Sequence, residues 1–406
     1  MDPITHGIAG SLLGKSFFAK RNARVAIFAA TLGAVFPDVD TAVDFVSRDP
    51  LAIVKYHRGI THSFFGLPFF AAALAWLTRR VARKLGYESP SYLALTLIYA
   101  VGIASHILLD GATSFGTRMW TPFSDRRVAW DLVFIVDLTF TTILLVPQFV
   151  AWVYSDRARG KRRALQMWIC STLGAAGGWG VARAAGFPFH ASIVALAGVA
   201  FAAIFFLPGV VDGGFGFRVT REVWCQTGVC VAFVYLFACA AMHHLAMQRV
   251  VSFAEANNVP VVRIGALPLA PSLLDWGVGI RTPDGVYQSQ LDLRNARTSP
   301  LVFTPDSPPD SYIERALTLP GVQLFWGFSR FPSIRSRAGD GVHLVDIGEN
   351  RFMNQRRGPQ PFTYRVVFGP DDQVTEQGMI ADGMLLRRME HVTRSGAASE
   401  KSDPKP

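Results

Sequence analysis

Charge is scarce in this chain. Asp, Glu, Lys and Arg make up 17% of its 406 residues, against about 25% in typical soluble domains, and the mean hydropathy is +0.27. So apolar a chain is neither intrinsically disordered nor a coiled coil. Cysteine is rare as well. Cys170, Cys225, Cys230 and Cys239 all fall in apolar stretches and form no CxxC pair, which excludes a thiolate zinc site, a redox dithiol and a disulfide-stapled mini-protein. There is no glycine-rich phosphate loop and no dinucleotide fingerprint. Ser63 and Ser105 lie beside histidines but in no nucleophile elbow. The N-terminal stretch carries Asp2 and His6 and lacks the basic start and cleavage site of a secretory signal. No repeat of fixed period occurs.

Long apolar runs are what the sequence does have. Thr61–Thr78, Ser91–Asp110, Asp131–Tyr154, Ala164–Ala182, Phe189–Val211 and Val223–Met247 each have the length of about 18 to 25 residues that crosses a bilayer core. Two shorter runs, Ile4–Phe18 and Val25–Pro37, fall below that length and read as a helical hairpin packed against the others. The expected fold is an α-helical polytopic membrane protein with six long spans and a short N-terminal helical hairpin. The formal charge of +10 sits mainly in basic clusters at 15–24, 79–84, 157–163 and 218–221. Placing these on the cytoplasmic side makes every crossing consistent, so no nucleic acid is needed to explain the charge. Arg118, Arg126 and Arg127 break the pattern and stand out as candidates for binding an anion.

The chain changes character near residue 250. Residues 1–250 are expected to form the membrane-embedded part, 251–393 a small β-rich domain on the periplasmic side, and 394–406 a disordered tail. Asp284-Gly285 marks a turn between the alternating runs Gly277–Thr282 and Val286–Leu293. Tyr364–Phe368, followed by Pro370-Asp371-Asp372, reads as another strand and its end.

Metal-capable residues recur in the membrane half: His6, then Asp38 and Asp40 in FPDVD, His57 and His62 in HRGITHS, His106 and Asp110 in SHILLD, and Asp137. Under the topology above all of them map to the end of the bundle opposite the basic loops. Ionisable groups bordering spans are costly to place and mark functional sites. His106 and Asp110 are four residues apart and leave the same helix face. His57 and His62, five apart, converge only if His57 lies in a loop ahead of the helix. Asp131 reads as the N-cap of the next run. Mixed imidazole and carboxylate donors suit a divalent metal, zinc first, with manganese or iron as alternatives, in one or two ions. Such a site suits phosphoester hydrolysis, with Asp40 as general base and Arg58, Arg118 or Arg126 neutralising phosphate oxygens. The competing class is a non-enzymatic membrane protein, either a metal transporter or a metal-stapled scaffold.

The ordered motifs DPITH, FPDVD, HRGITHS, SHILLDGATSFG, TPFSD and the later Asp137 resemble the bacterial membrane-bound metal-dependent hydrolases, also described as LexA-binding, inner-membrane-associated hydrolases. The likeness is specific over the first 140 residues and continues more loosely through ALPLAPSLLDW. It implies an inner-membrane hydrolase, and its name implies an association with LexA. More distantly, the order of His, Pro-Asp, His and His-x-x-x-Asp is similar to zinc-dependent phospholipases C and fungal single-strand nucleases. That likeness implies His6, Asp38 or Asp40, His62, His106 and Asp110 as ligands, while the expected depth of the site, at the outer leaflet, suits a lipid or lipid-linked phosphoester as substrate. The chain departs from those enzymes in lacking their N-terminal Trp and their second downstream His-x-x-x-Glu/Asp pair, so one or two metals are expected rather than three.

Overall fold

The computed structural model describes residues 1–19, 23–47, 49, 51–184, 190–295, 300–339, 341–351, 362–381 and 384–385. Lys20 and Arg21 of the first basic cluster, Phe189, and the tail at 394–406 lie outside the described residues. The N-terminal half is helical: α1 (Pro3–Phe17), α2 (Ala23–Val35), α3 (Val43–Val46), α4 (Ala52–Lys55), α5 (Leu67–Lys84), α6 (Tyr92–Gly111), α7 (Leu138–Val153), α8 (Gly160–Ala184), α9 (Ser192–Val210) and α10 (Arg221–Ala256). Short 3-10 turns occupy Phe36–Ala42 and Ile60–His62.

Among the described residues, four helical segments are long and apolar enough to cross a membrane: Ala23–Ala42, Tyr92–Gly111, Ser192–Gly213 and Arg221–Ala256. A fifth arises if Ala52–His62 and Leu67–Lys84, bent by 74°, form one broken span. The expected count of six differs from this for local reasons. The run at 25–37 continues through a 3-10 turn to Ala42 and so reaches spanning length. Residues 61–66 are not part of α5, which begins at Leu67 with a proline in its first turn. Residues 131–137 form a loop, which leaves α7 only 16 residues long. In α8, a 25-residue helix, glycines in the middle and Lys161, Arg162, Arg163 and Arg183 towards the ends dilute the apolar character.

Small residues set the helix crossings. Ala26, Ala29 and Ala30 of α2, and Ala71 and Ala75 of α5, are fully buried with Tyr99 and Ile103 of α6. At Gly102 a Cβ would stand 2.6 Å from the Ala30 carbonyl oxygen, so α2 and α6 pack this closely only because position 102 has no side chain. Helix α1 packs on its other side against α7 and α10, where Leu12, Phe140, Leu144, Cys225, Tyr235 and Cys239 share one cluster. The N-terminal end of α1, the C-terminal end of α2 and the C-terminal end of α6 thereby meet.

The C-terminal region holds two antiparallel sheets. β1 (Arg263–Pro268), β2 (Asp275–Thr282), β3 (Gly285–Asp292) and β4 (Val302–Pro305) pair in order, with Thr282 opposite Gly285 at the tight turn. A Cβ on Gly285 would lie 2.3 Å from the Thr304 carbonyl oxygen, which explains glycine there. After α11 (Ser311–Thr318) and α12 (Pro320–Phe328), the strands β5 (Pro332–Gly339), β6 (Val342–Glu349), β7 (Thr363–Phe368), β8 (Val374–Ala381) and β9 (Met384–Leu385) form a meander. This region rests on the helical half. Leu51, Val54 and Phe115 share a buried cluster with Phe325, Phe328 and Tyr364, and Trp276 packs with Ala246 and Val250 near the end of α10.

Candidate metal centre

Three segments deliver the site. The 3-10 turn after α2 presents Asp38 and Asp40. Between α4 and the next 3-10 turn the chain reverses at Arg58, whose φ of 60° is left-handed, so His57 and His62 fall on either side of the reversal. Both rings then reach Asp40. The last turns of α6 carry His106 and Asp110 on one face, with Nε2 and Oδ2 3.5 Å apart. His57 does lie in a loop ahead of the helix, as convergence of the two histidines requires.

Asp38, His62, His106 and Asp110 form a compact group able to hold a divalent ion. The hydrogen bonds around the two imidazoles fix which nitrogens face inward. His106 Nδ1 lies 2.6 Å from the Ala34 carbonyl oxygen, which only accepts, so Nδ1 carries the hydrogen. His62 Nδ1 is 3.1 Å from the Thr61 hydroxyl, whose own hydrogen goes to Asp40 Oδ2, so Nδ1 donates here as well. In neutral rings both Nε2 atoms are then bare lone pairs, yet they face each other at 3.0 Å. Two lone pairs aimed at one another repel unless a metal ion or a proton lies between them.

The carboxylates complete the figure. Asp38 Oδ1 is 3.5 Å from each Nε2, and Asp110 Oδ2 is 3.3 Å from His62 Nε2. Four ligands on a tetrahedron with bonds of about 2.0–2.1 Å are spaced by about 3.3 Å along each edge. The observed spacings bracket that value, and buried Asp38 Oδ2 has no hydrogen-bond partner. The donor set fits a small divalent cation.

The other expected residues fall around this group or away from it. His6 stacks on His106 with centroids 3.6 Å apart, and its Nε2 is 3.2 Å from Asp110 Oδ1, an oxygen that the Met1 amine also contacts. His6 therefore touches the group through Asp110. Asp40 and His57 make a second cluster with His62, but the Asp40 oxygens are filled by donors. His57 Nδ1 at 2.8 Å, the Arg58 amide at 3.0 Å and the Thr61 hydroxyl at 2.8 Å join His62 there. Asp40 therefore ties His57, Arg58 and Thr61 together beside the first group.

Arg58 is also committed. Its Nε is 2.9 Å from Asp110 Oδ2, Nη1 reaches the Thr113 hydroxyl at 3.2 Å, and the guanidinium lies over Phe115. A phosphate-neutralising role for Arg58 falls away for that reason.

Asp137 is not at the centre. It caps α7 through the amides of Thr139 and Phe140 at 2.9 and 3.1 Å, and it accepts from the Tyr235 hydroxyl at 2.7 Å and the Ser272 hydroxyl at 2.5 Å. Asp131, expected as the cap, instead has a φ of 54° and a two-pronged pair with Arg330 at 2.8 and 2.9 Å. The arginines of the loop at 112–137 brace backbone. Arg118 donates to the Lys55 carbonyl, and Arg127 donates to those of Gly116 and Val54. Burial, with Arg118, Arg351 and Arg58 nearby, pushes Arg127 down to about 9. Arg126 is exposed. The sequence reading passed over Thr61, Thr113, Ser272 and Arg351. Only Thr61 had a local signal, its place beside His62 in GITHS.

Residues 1–184 match the family model described as YdjM inner membrane protein, a stretch that includes every residue of the metal group. The chain is 28% identical over 109 residues to the uncharacterized protein YfhP of Bacillus subtilis (strain 168). That match covers 27% of this chain and 31% of the relative, so the chain spans about a third of the length of the curated protein it matches. No solved structure matches. Over its N-terminal part the chain is therefore similar to a bacterial inner-membrane family, and with its apolar helices this supports a membrane location. The family description names a membrane, and neither description names a reaction.

Proposed function

We propose that the chain is a membrane-bound, metal-dependent hydrolase acting on a phosphoester, carried by a lipid or a lipid-linked molecule, at the membrane face that bears Asp38 and His57. The observation that carries this reading is the approach of two buried Nε2 atoms to 3.0 Å, flanked by two carboxylates at tetrahedral-edge spacing. Asp38, His62, His106 and Asp110 would hold the ion, and the nitrogen-oxygen donor set favours zinc. When bound, such an ion supplies Lewis acidity to a phosphoryl oxygen and acidity to water. Asp40 keeps the His62 ring turned inward, the outer carboxylate that ligating histidines ordinarily have. The same Asp40 holds His57 Nδ1–H, which leaves His57 Nε2 as a proton acceptor at the partly open side of the group. Arg58 fixes Asp110 and compensates its buried charge.

Metal content of the detergent-purified chain, measured beside a His106→Ala, Asp110→Asn variant, tests the reading. Near-stoichiometric zinc in the parent, lost in a variant that stays helical, supports it and directs a screen of phosphoesters. A parent that takes up no divalent ion after reconstitution overturns it. A parent whose helices melt on chelation, with no turnover of any phosphoester, is the metal-stapled scaffold instead, a reading that the origin of the ligands on separate segments also favours.

A further inference from the structure

The far end of α1 carries a feature unrelated to the metal group. A furrow of about 580 Å³ runs along the outer side of α1 between α7 and α8, walled by Ile4, Ile8, Leu145, Phe149 and Met167, and it ends at Lys15. Positions 4, 8, 11 and 15 share one helix face, which His6 and Leu12 do not. At 1.5 Å per residue the furrow is about 16 Å long. Its open side is apolar, with Ile4 73% exposed, as a surface facing lipid tails is.

Lys15 is held in place at the furrow's end. Its Nζ donates to Gln148 Oε1 at 2.8 Å, an oxygen that also accepts from Ser11 at 2.9 Å. Gln148 Nε2 donates to the carbonyls of Ile8 at 3.1 Å and Leu144 at 3.0 Å, so all four hydrogen-bonding positions of this amide are used. An ammonium has three donors. Beyond Gln148, Lys15 has no carboxylate partner among the described residues. A lysine that merely escapes to water needs no such grip. This one is a positioned cation, without a carboxylate partner among the described residues, at the head of an apolar furrow beside the apolar helix α7, where an unpaired charge is costly.

We propose that this furrow binds one anionic phospholipid, with an acyl chain along the α1–α7 wall and a headgroup phosphate oxygen on Lys15. The site opens on the basic-loop side of the bundle, and the proposal stands whether or not the metal group hydrolyses anything.

Lipid titration of the full-length chain by native mass spectrometry, with phosphatidylglycerol against phosphatidylethanolamine, tests it. The parent should prefer phosphatidylglycerol by about fivefold, the worth of one basic residue at a membrane surface. Lys15→Gln should abolish that preference and Lys15→Arg should keep it. Leu145→Trp, which fills the furrow and leaves Lys15 intact, should weaken both lipids. A parent with no preference, a Lys15→Gln variant that retains it, or a Leu145→Trp variant that binds as the parent does would each overturn the proposal. So would a parental dimer that Leu145→Trp dissociates, because the furrow would then seat a second copy. Should Lys15→Gln fail to fold, Leu145→Trp decides alone.

Discussion

Asp40 links the two histidines of the HRGITHS stretch. It accepts from the His57 imidazole, the Arg58 amide and the Thr61 hydroxyl, and so fixes the tautomer of His57 directly and that of His62 through Thr61. Asp40→Asn keeps the size of the side chain but replaces an acceptor oxygen with a donor. The expected result is a drop in metal affinity of roughly 10- to 100-fold, the usual cost of losing an outer-shell partner, with helix content unchanged; competition with a chromophoric chelator measures it. Asp38→Asn should instead abolish stoichiometric binding, because it removes a convergent donor. At this scale the sequence was half legible. HRGITHS and SHILLD announced their convergent side chains through local spacing. Where Asp40 would meet the two histidines depended on the left-handed turn at Arg58, and residue identities do not display that turn. Asp137 misled for a related reason, since an N-cap and a ligand look alike until their partners are known. Its partners Tyr235 and Ser272 lie 98 and 135 positions away.

At the scale of elements, two features hold the centre in place. The first is the close approach of α2 and α6 at Gly102. Gly102→Leu drives a side chain into the Ala30 carbonyl and should separate the helices that carry Asp38 and His106. A loss of about 1–3 kcal/mol for overpacking, seen as a lower melting temperature, should come with weakened metal binding. The second is the Asp137 knot, which joins the start of α7 to α10 and to the loop before β2. Asp137→Ala removes a cap and the acceptor of two buried hydroxyls. It should cost about 2–4 kcal/mol while leaving metal stoichiometry intact, and that contrast separates it from the ligand variants. Helix existence was readable from apolar runs and their caps. Helix ends were harder to read: hydropathy does not distinguish a loop such as 131–137, which packs beneath a second layer, from the first turns of a span.

At the scale of the molecule, the C-terminal region grips the loop at 112–137. Arg330 pairs with Asp131, Arg351 donates to the carbonyls of Ser114 and Phe115 at 3.1 and 3.2 Å, and Phe115 sits against Phe328. Arg330→Ala strands a largely buried Asp131 and should cost about 2 kcal/mol, discounted from a fully buried pair because Arg330 is partly exposed. Faster proteolytic cleavage between α10 and β1 is the expected readout. The sequence marked strands and turns in this region, the Asp284-Gly285 hairpin above all. The face they would dock on was not marked, because the contacts run between Arg351 and a segment far from it along the chain.

That separation has a consequence in time. Arg351 follows Ser114 by 237 residues, and at roughly 5–20 residues per second of synthesis the loop waits roughly 10–50 seconds for its last clamp to emerge. Helices α1 to α6, with the histidines and carboxylates of the centre, are complete well before then. The centre can therefore gather its donors early, while the loop beside it stays unclamped until the final strands are made.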